Sequence, residues 1–100
     1  MLFRSRRRPE DIAASAARRR EILTAAATLV KSGGRLVYAT CSPEPEENEA
    51  VITAFLTAQP AWRLDPPADF PLSLDADGYL RTRPDRHGID GFTAVRLRRA

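Results

Sequence analysis

The sequence predicts an α/β fold, and three features carry this prediction. A segment with helical spacing of its apolar residues is followed by a glycine pair and by a short apolar run, Arg35 to Thr40. A second helical segment opens at Pro45, and alternating residues from Phe92 to Leu97 close the chain. A strand between two helices is typical of a parallel sheet, which is covered on both faces and needs neighbouring strands. We therefore expect residues 1–100 to form the C-terminal part of a larger doubly wound sheet, incomplete in this chain.

The first predicted helix covers residues 9–31. Pro9 suits the first helical position, and the two acidic residues after it complement the positive end of the helix dipole. Gly33 or Gly34 can adopt the positive φ that ends such a helix. Apolar residues recur at steps of three and four and form one stripe, which comprises Ile12, Ala16, Ile22, Leu23, Ala26, Leu29 and Val30.

The later elements are predicted in the same way. The run from Arg35 to Thr40 is short, apolar and bounded by glycine and proline, which indicates a buried strand, central in its sheet. The second helix opens at Pro45, has an acidic first turn and ends before Pro60. Trp62 to Leu64 and Tyr79 to Arg81 are predicted to be short strands, with a loop rich in proline and aspartate between them. We expect Trp62 to pack in the core or at the sheet edge, the alternative being a platform on which a base stacks.

The composition excludes several classes of protein. The single cysteine excludes an internal disulfide framework and a multi-cysteine zinc site, and it fits a reducing compartment, so a cytoplasmic location is expected. No run of about 18 apolar residues occurs, so no membrane span is expected. The N-terminal residues lack the apolar core of a secretory signal.

The net charge of +3 is unevenly distributed. Seven arginines lie in the first 20 residues and six in the last 20, whereas the central 60 residues carry an excess of acids. The guanidinium of arginine makes bidentate hydrogen bonds with phosphate and stacks on bases, so this excess of arginine favours a nucleic-acid partner. A genomic base composition that favours arginine over lysine would explain the same excess. The sequence leaves both explanations open.

The one cysteine, Cys41, follows the predicted strand and precedes a helix start. The positive end of a helix dipole favours the thiolate form, so a thiol in this place can become a nucleophile. Taken alone, a single cysteine after a buried strand is more often an inert core residue. A thiol redox module is disfavoured, because the chain has no second cysteine to resolve an oxidised thiol.

The run GGRLVYATCSPEPEENEAVI, residues 33–52, resembles the segment around the catalytic cysteine of the Sun/Fmu family of RNA (cytosine-5)-methyltransferases. In that family a Gly-Gly-x-Leu-Val-Tyr-x-Thr-Cys-Ser strand end is followed by Pro-Glu-Glu-Asn-Glu, which opens a helix. Asp90-Gly91-Phe92 with the basic residues after it resembles the closing strand of the family. Arg6-Arg7-Arg8 resembles the basic stretch before the helix that precedes the cysteine strand, so the resemblance covers essentially the whole chain.

The resemblance implies a Rossmann-like fold, S-adenosylmethionine as the cofactor and RNA, ribosomal RNA above all, as the substrate. It makes Cys41 the nucleophile, whose thiolate adds to carbon 6 of cytosine so that carbon 5 can take a methyl group. Loss of the proton on carbon 5 then lets the thiolate leave. In this view Thr40 and Ser42 hold the cysteine loop, and Asn48 ties the following turn by amide hydrogen bonds.

Other charged residues are candidates with simpler alternatives. Arg6, Arg7 and Arg8 would contact RNA phosphates, the alternative being a solvated helix face. Arg86 and His87, in the loop before the last strand, could approach the substrate, although a lone loop histidine is usually structural or solvated. The acidic residues between positions 44 and 49 are expected to complement a helix start, and no metal site is predicted from them.

Three departures from the family pattern concern activity. No glycine-rich loop precedes a helix, and no second cysteine is present to assist product release. Arg19 stands where the family typically has a glutamine. The chain is therefore expected to be a fragment that lacks the cofactor site and does not turn over alone, and a partner chain could supply the missing half. The alternative function is a non-catalytic, arginine-rich RNA-binding remnant.

Overall fold

A computed structural model describes residues 8–69, 74–82 and 91–100. Within these ranges two α-helices pack on one face of a small sheet, and no helix is long and apolar enough to cross a membrane. The elements are α1 (Pro9–Ala27), β1 (Arg35–Thr40), a 3₁₀ turn (Pro45–Glu47), α2 (Glu49–Ala58), β2 (Trp62–Leu64), β3 (Leu80–Arg81) and β4 (Thr93–Arg99).

The sheet is built around β4. β1 pairs with one edge of β4 along its whole length, with Arg35 opposite Arg98. β2 and β3 pair with the two ends of the other edge, with Leu64 opposite Leu97 and Leu80 opposite Ala94. All three pairings are antiparallel. β1 and β2 consequently point in the same direction, and β4 lies between them.

The parallel neighbours that the sequence predicts for β1 are not among the described strands. The crossover through α2 does make β1 and β2 parallel in direction, but the last strand returns between them and pairs with both. The prediction that β1 is buried is wrong here. Its residues alternate between exposed and partly buried up to Thr40, and Val37 is 62% exposed. The reason is that the helices cover only one face of the sheet, so alternate residues of β1 point to the other, uncovered face.

Helix α1 ends at Ala27 instead of residue 31, so the predicted stripe is only partly correct. Ala16, Leu23 and Ala27 are buried, whereas Ile22 and Leu29 are exposed. Leu29 leaves the helical face because it belongs to the turn after the helix. The chain then reverses at a glycine with φ of 80°, Gly33, as the sequence predicts.

Helix α2 begins at Glu49, four residues later than predicted. Pro45 opens only a 3₁₀ turn, because Asn48 has φ of −117° and ψ of −95° and interrupts the helical path. The end of α2 before Pro60 is as predicted. α2 contributes Phe55 to the core, where its ring meets that of Trp62 edge-on with centroids 5.6 Å apart. This confirms the predicted core position of the tryptophan.

Candidate active site

Cys41 directly follows β1, and its side chain is exposed. It lines a cleft of about 430 Å³ formed by the cysteine loop, the start of α2 and the neighbouring ends of β3 and β4. Glu49, Arg81 and Thr93 line other parts of this cleft. The thiol is therefore open to a ligand in the cleft and is not enclosed by the apolar core.

The residues on either side of Cys41 are held by buried hydrogen bonds. The Thr40 hydroxyl donates to Oδ1 of Asn48 at 2.5 Å and accepts the backbone N–H of Ser42 at 3.2 Å. The Nδ2 group of Asn48 in turn donates to the backbone carbonyl of Ser42 at 2.9 Å. Thr40, Ser42 and Asn48 thus hold the loop and the next turn, as the resemblance implies. The backbone around the thiol is fixed while the thiol itself stays accessible.

Glu47 makes buried contacts that the sequence does not predict. It is fully buried, and Oε1 of its carboxylate accepts a hydrogen bond from the Ser42 hydroxyl at 2.5 Å. Oε2 accepts from Nε of Arg19 at 3.3 Å. The sequence predicts only that Glu47 complements a helix start, whereas the 3₁₀ turn also directs its side chain toward α1, where it is buried. No local pattern signals this pair, since 28 residues separate its members.

Tyr38 completes the inner side of the cysteine loop. Its hydroxyl donates to the backbone carbonyl of Glu47 at 2.6 Å. Burial raises the pKa of Tyr38, while the nearby Arg19 acts in the opposite direction. The phenol therefore remains a neutral donor at neutral pH, and it ties β1 to the 3₁₀ turn.

Arg81 joins the start of α2 to β3 on the other side of the cleft. Its guanidinium donates to Glu49 at 2.5 Å, Asp75 at 2.7 Å and Asp77 at 2.9 Å. The same group lies 4.7 Å from the ring centre of Tyr79, and burial raises the pKa of this tyrosine to about 12. No local sequence pattern signals this cluster, because α2 and β3 meet only in the folded chain.

The hydrogen bond from Arg81 lowers the pKa of Asp77 below 3.8. A lowered carboxyl pKa stabilises the fold above the unfolded pKa, and this contribution disappears as the pH falls through the folded value. We expect the free energy of unfolding, measured in urea from about pH 6 to pH 2, to fall in acid less steeply in Asp77→Asn than in the wild type. The matched control is Asp69→Asn, at an exposed position. An equal flattening in both variants would contradict the assignment.

The predicted RNA-contacting residues are only partly covered by the structure. Arg8 directly precedes α1, is 71% exposed and pairs with Glu10 at 3.4 Å. Arg6, Arg7, Arg86 and His87 lie outside the described residues. Within the described ranges, no three His, Cys, Asp or Glu side chains form a group that could hold a metal ion.

The described residues do not fit S-adenosylmethionine. Such a cofactor needs free backbone groups at a glycine-rich turn, and the only glycine pair is occupied by the sheet. The N–H of Gly33 donates to the carbonyl of Arg99 at 2.8 Å, and the carbonyl of Gly34 accepts the N–H of Arg99 at 2.9 Å. This pair lies before β1, at the end of the strand remote from Cys41.

The register of the sheet brings three arginines into line. Arg35 and Arg63 both lie directly opposite Arg98, on the sheet face away from the helices, and we call these three residues the arginine row. Asp65 pairs with Arg35 at 2.8 Å and with Arg96 at 3.3 Å, and the hydrogen bond from Arg35 is the main cause of its lowered pKa. Arg63 and Arg98 have no ion pair within the described part of the chain.

Comparison with known proteins identifies the family. Residues 2–98 match the family model described as 16S rRNA methyltransferase RsmB/F. The ribosomal RNA small subunit methyltransferase B of Proteus mirabilis is 58% identical over 86 residues, which cover 86% of this chain and 18% of the relative. The protein of the same name from Thermus thermophilus is 40% identical over 97 residues, which cover 97% and 24%.

A solved structure agrees with these relatives. The crystal structure of a methyltransferase homologue from Pyrococcus horikoshii superimposes with a TM-score of 0.80 at 31% identity, covering 94% of this chain and 34% of that one. The chain thus spans about a fifth of the length of the curated relatives cited here. The expected Rossmann-like methyltransferase fold is confirmed, as is the resemblance to the Sun/Fmu family. The chain belongs to the 16S rRNA methyltransferase RsmB/F family.

Proposed function

We propose that this chain is the nucleophile-bearing part of an enzyme that methylates carbon 5 of cytosine in RNA, with ribosomal RNA as the substrate class. The observation that carries the proposal is the exposed thiol of Cys41, held on a hydrogen-bonded loop at the rim of a cleft. The names of the relatives, which are ribosomal RNA methyltransferases, support the choice of RNA.

The chemistry assigned to Cys41 is covalent catalysis. Carbon 5 of cytosine is a weak nucleophile, and addition of the thiolate at carbon 6 forms a sulfur–carbon bond and gives carbon 5 enamine character. Carbon 5 then takes the methyl group as its bond to the donor's sulfonium sulfur breaks, and carbon 5 loses its proton to a base. The electron pair of that carbon–hydrogen bond restores the ring double bond as the sulfur–carbon bond breaks, so the thiolate is regenerated.

This chain's contribution is the presentation of the nucleophile. We assign the binding of S-adenosylmethionine, which supplies the methyl group, to residues other than the described ones, because the backbone groups of Gly33 and Gly34 are used by the sheet. Fixing the loop before the substrate arrives reduces the entropic cost of reaching a reactive geometry. The buried bonds of Thr40 and Asn48 would serve this purpose.

The test is a chimera in which this chain replaces the matching segment of the Thermus thermophilus relative. The chimera is incubated with S-adenosylmethionine and small-subunit ribosomal RNA that contains 5-fluorocytosine. Fluorine on carbon 5 cannot leave as a proton does, so the enzyme should remain bonded to the RNA. We expect a protein–RNA adduct that survives denaturation and maps to Cys41. A chimera that methylates ordinary RNA but forms no such adduct would contradict the proposed mechanism.

The arginine row favours a second candidate function, RNA binding without catalysis. Arginines directly opposite each other on adjacent strands repel, so Arg35, Arg63 and Arg98 favour a polyanion on this face of the sheet. Among the described ion pairs of this face, Asp65 is the only acidic residue, and it pairs with Arg35 and Arg96. The RNA backbone has the complementary charge, and each phosphate neutralised by an arginine releases counterions.

Replacing Arg35, Arg63 and Arg98 together by glutamine should weaken RNA binding and lower its salt dependence. Loss of three phosphate contacts reduces the slope of log affinity against log salt by about 2 for a single strand. The measurement is fluorescence anisotropy of a labelled RNA oligonucleotide across a salt series. The matched control replaces Arg18 and Arg20, which are exposed on α1, by glutamine.

The controls separate the two candidate functions. An unchanged salt slope in the triple variant, or an equal loss in the α1 control, would contradict a role for the arginine row. RNA retention by the chimera with no adduct and no methyl transfer would favour the binding remnant over the enzyme.

A further inference from the structure

We propose that Glu47 is a positioning residue for Cys41 and acts through Ser42. This inference rests on the proposed function, because positioning matters only if the thiol attacks a substrate. Glu47 does not line the cleft, and its carboxylate is fully buried. It nevertheless contacts the residue directly after the proposed nucleophile.

The direction of each hydrogen bond supports this role. The Ser42 hydroxyl donates its single proton to Oε1 of Glu47. The oxygen of that hydroxyl then accepts the backbone N–H of Glu44 at 3.1 Å. Glu47 thereby orients the hydroxyl that orders residues 42–44. Cys41 is held from the other side by Thr40, whose hydroxyl accepts the N–H of Ser42.

Arg19 completes the support from a different element. A buried carboxylate without a partner is strongly destabilising, and the guanidinium of Arg19 supplies the opposite charge from the middle of α1. The cysteine loop is therefore held by a contact with the long helix α1 as well as by contacts within its own turn. The hydroxyl of Tyr38 holds the backbone of Glu47 to β1. The resulting chain of contacts runs from α1 through Glu47 to Ser42, the residue next to Cys41.

A purely structural ion pair is the alternative, and the two roles predict different kinetics. If Glu47 only stabilises the fold, a folded variant should form the RNA adduct at the wild-type rate. If it positions the thiol, the rate constant at saturating RNA should fall while RNA affinity stays unchanged. A misplacement of about 1 Å can cost about a hundredfold in rate.

The first experiment measures adduct formation by the chimera with 5-fluorocytosine RNA, at saturating RNA. We expect Glu47→Ala to lower the rate constant at least about tenfold, with less than about a twofold change in RNA affinity. Glu47→Gln should lose less, because an amide oxygen can still accept from Ser42. The matched control is Glu46→Ala, at the exposed neighbouring position. Wild-type rates in a folded Glu47→Ala chimera would overturn the proposal.

A second experiment uses the chain itself and needs no activity. Cys41 is its only cysteine, so a nitroxide label attaches there alone, and its spectrum reports the mobility of the loop. We expect a restricted label in the wild type and in Glu46→Ala and a mobile label in Glu47→Ala, with helix content unchanged by circular dichroism. Identical spectra in all three would refute the positioning role.

A variant that fails to fold would not end the test. If Glu47→Ala unfolds, Glu47→Gln is compared with the double variant Arg19→Gln, Glu47→Gln, which removes both charges of the ion pair and can keep the hydrogen bond to Ser42. The double variant should restore both the restricted label and most of the adduct rate. Absence of adduct in the wild-type chimera would instead count against the proposed function, so the two failures are distinguishable.

Discussion

Replacing Cys41 by alanine in the chimera is expected to abolish the covalent RNA adduct and to lower methyl transfer by several orders of magnitude. Removal of the nucleophile from other enzymes with covalent intermediates has effects of that size. The fold should be unaffected, because the side chain is exposed and adds little to the core. The measurements are denaturing electrophoresis of labelled RNA and the rate of tritium release from carbon 5 of cytosine.

Two controls make this result specific to the thiol. Cys41→Ser keeps the size of the side chain but offers a much weaker nucleophile, so it should also form no adduct. Thr53→Ala, at an exposed position of α2, should behave as the wild type. If the adduct persists without Cys41, another cysteine of the chimera is the nucleophile and the central assignment is wrong.

The largest effect on stability is expected from Leu97→Ala. Leu97 is fully buried on β4, the strand with which all three other described strands pair. Leucine-to-alanine changes in cores cost about 2–5 kcal/mol, a large part of the roughly 5–15 kcal/mol that stabilises a domain. Urea unfolding followed by the fluorescence of the buried Trp62 measures the loss.

Val37→Ala on β1 is the matched comparison. Both positions look equally apolar in the sequence, but Val37 is 62% exposed, so its truncation should change the free energy of unfolding by less than about 0.5 kcal/mol. A similar loss in both variants would show that the outer face of β1 is covered in solution. Such a result would indicate self-association or a partner on that face.

Local chemistry made several elements predictable. Pro9 starts the first helix, Gly33 turns the chain after it, and the second helix ends before Pro60, each because a single residue type restricts the backbone. The placement of Cys41 after a strand also came from neighbouring residues in the sequence, whereas the bonds of Asn48 were implied by the family resemblance. The roles of Arg6, Arg7, Arg86 and His87 remain predictions.

The sequence by itself determined which segments are helix or strand, where the one thiol lies along the chain, and which family the chain resembles. Only the tertiary structure decided that β4 enters between β1 and β2, that Glu47 is buried against Arg19, and that three distant arginines share a row. The reason is physical. Backbone preferences act over a few residues, whereas the pairing of β1 and β2 with β4 and the Arg19–Glu47 ion pair depend on contacts between residues 28 or more positions apart.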